Sequence, residues 1–200
     1  IYWFANISPE ARKVKVSCRV SGKKPYVLHP ETGIKEEIAY EMLDGRTIIT
    51  LDLTADDAQF VIFDENTTTA KHELPATELV ERMSISSPWT VNFQENRGAS
   101  AQAVFQRLKS LSESNVGSVR YFSGTARYSC TFQWNSAAPK DALYLNLGEV
   151  YNMARVKLNG TDLGLVWKRP FVVPVGNAIR DGENELEIEV TDTWQNRLIG

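Results

Sequence analysis

Two loops of this chain carry side chains suited to recognition chemistry. Tyr151-Asn152 lies in one, and Trp167-Lys168-Arg169 in the other. A carbohydrate ring offers C–H patches that stack on an aromatic face, and hydroxyls that need planar polar partners. If the two loops meet at one rim, Trp167 would stack on a sugar and Arg169 and Asn152 would hydrogen-bond to it, with Tyr151 alongside. The competing reading makes Trp167, just ahead of a Pro-Phe edge strand, a lid on the core. The residues alone leave both readings open. The other tryptophans divide similarly: Trp3 and Trp134 read as strand core, while Trp89 and Trp194 fit either role.

The acids argue against catalysis within the chain. Cleaving a glycosidic bond takes two carboxylates held about 5 to 9.5 Å apart. Glu185, Glu187 and Glu189 line one outer strand face; Asp44, Asp181 and Glu183 fall in turns; Asp56-Asp57 falls in a polar loop. None of these placements forms such a pair. A Gly-x-Ser-x-Gly elbow, a phosphate-binding P-loop and a Gly-x-Gly-x-x-Gly turn are all missing. His29 and His72 have no metal spacing and read as loop residues, and no run of alternating acids suits calcium. No metal and no cofactor are expected. Cys18 and Cys130 share strand faces with valines and with aromatic residues respectively, so both read as small buried apolar groups. They fall in different expected domains, which disfavours a disulfide.

Composition bounds the class. The chain has 200 residues, 42% hydrophobic and 24% charged, with a net charge of −3. That balance gives no basic patch for nucleic acid and no polybasic segment for a membrane surface. No apolar run approaches the ~20 residues of a membrane span. The strand-like opening Ile1-Tyr2-Trp3-Phe4 leads to the expectation that the chain begins inside a larger protein, so any export signal would lie upstream.

The elements that must position these residues are strands. Leu143, Leu145 and Leu147 alternate with Tyr144 and Asn146, and Ala154, Val156 and Leu158 alternate with Arg155 and Lys157. A period of two marks a half-buried strand. Asn159-Gly160 and Asp44-Gly45 are hairpin signals, since a type I′ turn needs positive φ at both central positions. Leu186, Ile188 and Val190 face inward between outward glutamates. Pro170 and Pro174 around Phe171-Val172-Val173 suit an edge strand. Further strands are expected near 119–122 and 126–134. Ala101, Phe105, Leu108 and Leu111 recur at helical spacing, which predicts one short helix near 101–110. Many short strands between regular turns predict an all-β chain of two β-sandwich domains. The boundary is expected between Ala70 and Ala76, giving a small antiparallel sandwich over 1–75, incomplete on its N-terminal side, and a jelly roll over 76–200.

Particular motifs carry a family resemblance. Ser118-Val119-Arg120-Tyr121-Phe122-Ser123-Gly124-Thr125-Ala126-Arg127-Tyr128 resembles the sugar-binding domain of glycoside hydrolase family 2, as do Leu145-Asn146-Leu147-Gly148-Glu149-Val150 and Ala154 to Gly160. Glu183 to Thr191 with Asn196-Arg197-Leu198-Ile199-Gly200 is similar to the C-terminal region of family 106-like enzymes, which include α-L-rhamnosidases. Phe4-Ala5-Asn6, Val20-Ser21-Gly22 and His29-Pro30-Glu31-Thr32-Gly33 resemble the small β-sandwich that precedes that region. The resemblance implies a galactose-binding-like jelly roll attached to a catalytic barrel that lies outside this chain. It implies a noncatalytic accessory or carbohydrate-binding region of a periplasmic or extracellular glycoside hydrolase. Its partners would be its own catalytic domain and a plant or host glycan. The alternative function is a structural or adhesive β-sandwich that binds a protein partner.

Overall fold

The computed structural model describes residues 1–30, 33–75, 79–135 and 138–200. Glu31-Thr32 of the motif that begins at His29, and Ala76 at the far limit of the expected boundary, lie outside the described residues. Backbone contacts divide the chain into two compact units, Ile1–Val80 and Glu81–Gly200.

The first unit is a pair of antiparallel sheets. One orders β1 (Tyr2–Asn6), β7 (Asp57–Asn66), β3 (Lys23–Leu28) and β4 (Lys35–Glu37). The other orders β2 (Arg12–Cys18), β6 (Arg46–Leu53), β5 (Tyr40–Leu43) and β8 (Lys71–His72). Cys18, Val27, Tyr40, Ile49, Leu51, Leu53 and Val61 fill the core between them. Alternation explains why: one face of each strand is apolar, and a sheet must bury that face against another layer. The β5–β6 hairpin closes at Asp44-Gly45 with φ 51° and 71°, as a type I′ turn requires.

Three sequence expectations fail in this unit. Trp3 is not core but 64% exposed. It alternates with Tyr2 and Phe4, which pack against the core cluster, so its own side chain must face outward. Asp57 is not a loop residue. It opens β7, is buried, and accepts from the Thr54 amide and the Gln59 side-chain amide, each at 3.1 Å. His72, expected in a loop, lies in β8 with its ring 5.7 Å from that of Tyr40.

The second unit is built on a six-stranded antiparallel sheet. Its order is β10 (Gln102–Phe105), β9 (Trp89–Phe93), β11 (Thr125–Trp134), β16 (Gly182–Thr191), β13 (Met153–Leu158) and β14 (Thr161–Val166). The pair β12 (Tyr144–Asn146) and β15 (Val172–Pro174) forms a separate two-stranded sheet. Cys130, Phe132, Trp134, Ala154, Val156, Leu158, Leu186 and Ile188 of the large sheet share one core with Leu143, Phe171, Val173 and Val175 around the small one. On the outer face Arg127 pairs with Glu189 and Glu187, Lys157 with Glu187, and Arg155 with Asp162. The β13–β14 hairpin turns at Asn159-Gly160 with φ 51° and 79°.

The predicted helix over 101–110 is instead strand β10. Ala103 and Phe105 pack on the core while Gln102 and Val104 face outward, and Leu108 stays exposed. The apolar spacing there happens to satisfy a helical period. The segment expected as a strand near 119–122 holds the helix α1 (Gly117–Arg120), and a second helix, α2, spans Gln195–Ile199. Val119 of α1 and the following Phe122 plug a satellite core with Val91, Phe93 and Ala126.

Cys18 and Cys130 are free, buried thiols. Burial pushes the Cys130 thiol up to about 11 from 9.0. Burial, and then the Asp192 carboxylate, push the Tyr128 hydroxyl up to about 12 from 10.0. Both groups are held neutral in the fold and ionise more readily once unfolded. Their contribution to stability is therefore complete below pH 9 and is lost as the pH rises through 11 to 12. Urea midpoints measured across that range are expected to fall, and Cys130→Ala should flatten the part between pH 9 and 11.

Candidate functional site

The four residues singled out from the sequence sit on two loops that the fold brings together. Residues 147–152 connect β12 to β13, and residues 167–171 connect β14 to β15. Pairing of β12 with β15 sets the loops side by side, and the Leu147 amide extends that ladder by donating to the Phe171 carbonyl at 2.9 Å. Buried Val150 and Phe171 anchor one loop each. The Arg169 guanidinium donates to the Glu149 carboxylate at 2.6 Å, closing a second link between the loops. The Asn152 amide donates to the Thr191 carbonyl at 2.9 Å, which fixes the first loop to the end of β16. The Tyr151–Asn152 and Arg169–Pro170 peptide bonds are cis.

This anchoring leaves the side chains outside. Trp167 is 52% exposed and Tyr151 65%, so Trp167 does not lid the core. Asn152 and Arg169 are exposed beside them. Met153 and Leu165, also exposed, lie on the outer face of the β13–β14 hairpin and extend the apolar surface. The arrangement offers aromatic faces for stacking, an amide for hydroxyls, and a guanidinium already engaged by a carboxylate.

Strand register shows that these loops belong to a longer rim. Phe93 lies opposite Ala126, Thr125 opposite Thr191, Thr191 opposite Met153, and Ala154 opposite Val166. One end of the sheet therefore carries, in lateral order, the loop 94–101, the turn 121–124, the segment 192–197, and the two loops above. Sequence reasoning missed the first two and left Trp194 undecided.

Those segments are tied tightly. The Asp192 carboxylate accepts from the Gly124 amide at 2.7 Å, and the Arg197 amide donates to the Ser123 hydroxyl at 3.0 Å. The Thr125 amide donates to the Gln94 side-chain carbonyl at 3.1 Å. Gly124, at φ 148°, permits that approach, since a Cβ there would lie 2.7 Å from the Gln94 oxygen. The Arg97 guanidinium lies 4.6 Å from the Trp194 ring centroid, a cation–π contact. Burial raises the Asp192 carboxyl above its ordinary range, and the hydrogen bond from Gly124 opposes that shift.

Among the described residues, no group of three or more His, Cys, Asp or Glu side chains could hold a metal ion.

Comparison with known proteins fits this architecture. Residues 107–198 match the family model described as glycosyl hydrolase 2 galactose-binding domain-like. The matched stretch, which lies within the second unit, is similar to the galactose-binding-like domain of glycoside hydrolases. The solved structure of a rhamnosidase from Novosphingobium sp. PP1Y superposes with a TM-score of 0.92 at 37% identity, over 99% of this chain and 19% of that one. A Formosa agariphila protein named "Putative beta-glucuronidase" is 42% identical over 118 residues, which is 58% of this chain and 10% of that protein. The chain thus spans between a tenth and a fifth of each relative. The stretch that matches the family model contains the whole rim except the loop 94–101.

Proposed function

We propose that this chain is a noncatalytic accessory region of a larger glycoside hydrolase, and that its rim contacts carbohydrate beside the catalytic domain. One observation carries the reading: likeness to the rhamnosidase runs over 99% of this chain but only 19% of that enzyme. The disposition of the acids supports it. Glu187, Glu189, Asp162 and Glu149 are committed to ion pairs with Arg127, Lys157, Arg155 and Arg169 on the outer sheet face and the rim. A retaining or inverting pair needs one carboxyl kept protonated in a cleft, and ion pairing with a cation works against that.

In this reading Trp167 and Tyr151 stack on a sugar face, and Asn152 and Arg169 hydrogen-bond to its hydroxyls. The ligand is a plant or host glycan containing rhamnose or galactose, met in the periplasm or outside the cell. The second partner is the parent enzyme's own catalytic domain. Titration with such glycans is expected to change tryptophan emission at millimolar ligand. Trp167→Ala should weaken the response about tenfold or more while leaving the circular dichroism spectrum unchanged. No response to any of these glycans would remove the carbohydrate half of the proposal.

A further inference from the structure

The far part of the rim differs in charge from the Tyr151–Trp167 platform. Elsewhere on this unit, Arg127 and Arg155 of the sheet and Arg169 of the platform each have a carboxylate within 4 Å. Arg97 and Arg197 make no ion pair with any described carboxylate, and their guanidinium groups lie where the loop 94–101 meets the segment 192–197. That of Arg97 covers one face of Trp194, and that of Arg197 lies against Gly98, 3.0 Å from where a Cβ would stand. The adjacent acids do not compensate them directly: Asp192 is turned to the Gly124 amide, and exposed Glu95 pairs with neither arginine. Trp194 remains 57% exposed.

Two uncompensated guanidinium groups beside an open indole suit a ligand that is both anionic and ring-shaped. The guanidinium fork matches a carboxylate in a bidentate manner, and the indole face accepts the C–H face of a pyranose. We infer that Arg97, Arg197 and Trp194 form a subsite for a carboxylate-bearing sugar, a uronic acid residue of the glycan. The Arg197 and Arg97 guanidinium groups take the carboxylate, and Trp194 takes the ring. β16, which leads into Trp194, and β14, which leads into Trp167, are two strand spacings apart, about 10 Å. The subsite and the Trp167 platform therefore form one strip for an oligosaccharide. This inference rests on the carbohydrate reading above and adds the class of sugar. An acidic peptide would satisfy the arginines but gains little from an exposed aromatic platform, so sugar is the favoured ligand.

The test is a titration of the 200-residue chain with trigalacturonate, neutral galactotriose and a tetraglutamate peptide. It is read on the Trp194 indole N–H resonance, assigned with Trp194→Phe. Trigalacturonate is expected to shift that resonance, with an affinity that falls as salt is added. Arg97→Gln with Arg197→Gln should weaken it at least about tenfold, and Arg197→Lys less, while the rest of the spectrum holds its dispersion. Equal binding of the neutral and acidic trisaccharides, unaffected by the arginine changes, would overturn this inference and leave the carbohydrate reading intact. Tetraglutamate binding as tightly as trigalacturonate would overturn the sugar class. Binding of no saccharide would end this inference and count against the carbohydrate half of the proposed function.

Discussion

Phe122→Ala is expected to destabilise the second unit by about 4 kcal/mol, the usual cost of deleting a buried phenyl ring together with the cavity it leaves. Phe122 is 1% exposed, and its ring meets that of Phe93 edge-on, with centroids 4.9 Å apart. Gly124 presses on it closely, since a Cβ on that glycine would stand 3.2 Å from the Phe122 ring. The site therefore cannot collapse easily around a missing side chain. The loss should also reach the rim. Ser123 and Gly124, next along the chain, hold the Arg197 amide and the Asp192 carboxylate. Denaturant melts check the energy, and Phe122→Leu should recover most of it by restoring volume. A change below about 1 kcal/mol for the alanine variant would mean that the satellite core is not closed as described.

The second large effect falls on Asn184, which is 0% exposed inside a strand face made of leucine and isoleucine. Its carbonyl oxygen accepts from the Arg180 amide at 2.8 Å and from the Asn159 side chain at 2.7 Å. Its amide group donates to the carbonyls of Arg180 and Gly182 at 2.8 and 3.0 Å. Asn159 in turn donates to the Ala178 carbonyl and accepts from the Glu185 amide. The two asparagines thus tie the Asn159-Gly160 hairpin to the turn ahead of β16. Asn184→Ala removes four hydrogen bonds and leaves their partners partly buried, an expected cost of about 3 kcal/mol. Asn184→Asp should not rescue it. The carboxylate cannot donate to the two carbonyls, and burying its charge adds a further penalty. Thermal unfolding of the two variants, compared with an exposed control such as Asn177→Ala, measures the difference.

How much of this was legible in the residues depends on how local the cause was. β11, β13 and β16 alternate cleanly because each buries one face, and Asn159-Gly160 and Asp44-Gly45 announce turns whose φ values only such residues adopt readily. Trp3 was misplaced although its neighbours held the answer: Tyr2 and Phe4 point inward, so the residue between them cannot. The 101–111 segment reads as a helix because four apolar residues satisfy a helical period, yet β10 contains only one of them, Phe105. The two loops of the candidate site were found because their side chains are chemically conspicuous. The pairing of Arg97 with Trp194, and the order of loops along the rim, were not. They follow from the lateral sequence β9-β11-β16-β13-β14, which joins segments distant in the chain. Local propensity carries no trace of that order.

The central proposal is that this region belongs to a larger glycoside hydrolase yet performs none of its chemistry. The direct measurement is hydrolysis of aryl rhamnosides, galactosides and glucuronides by the purified 200-residue chain, followed by release of the aryl leaving group. The account predicts no release above the uncatalysed background across pH 4 to 8. Turnover that disappears on replacing a single carboxylate, such as Glu149→Gln or Asp192→Asn, would contradict it.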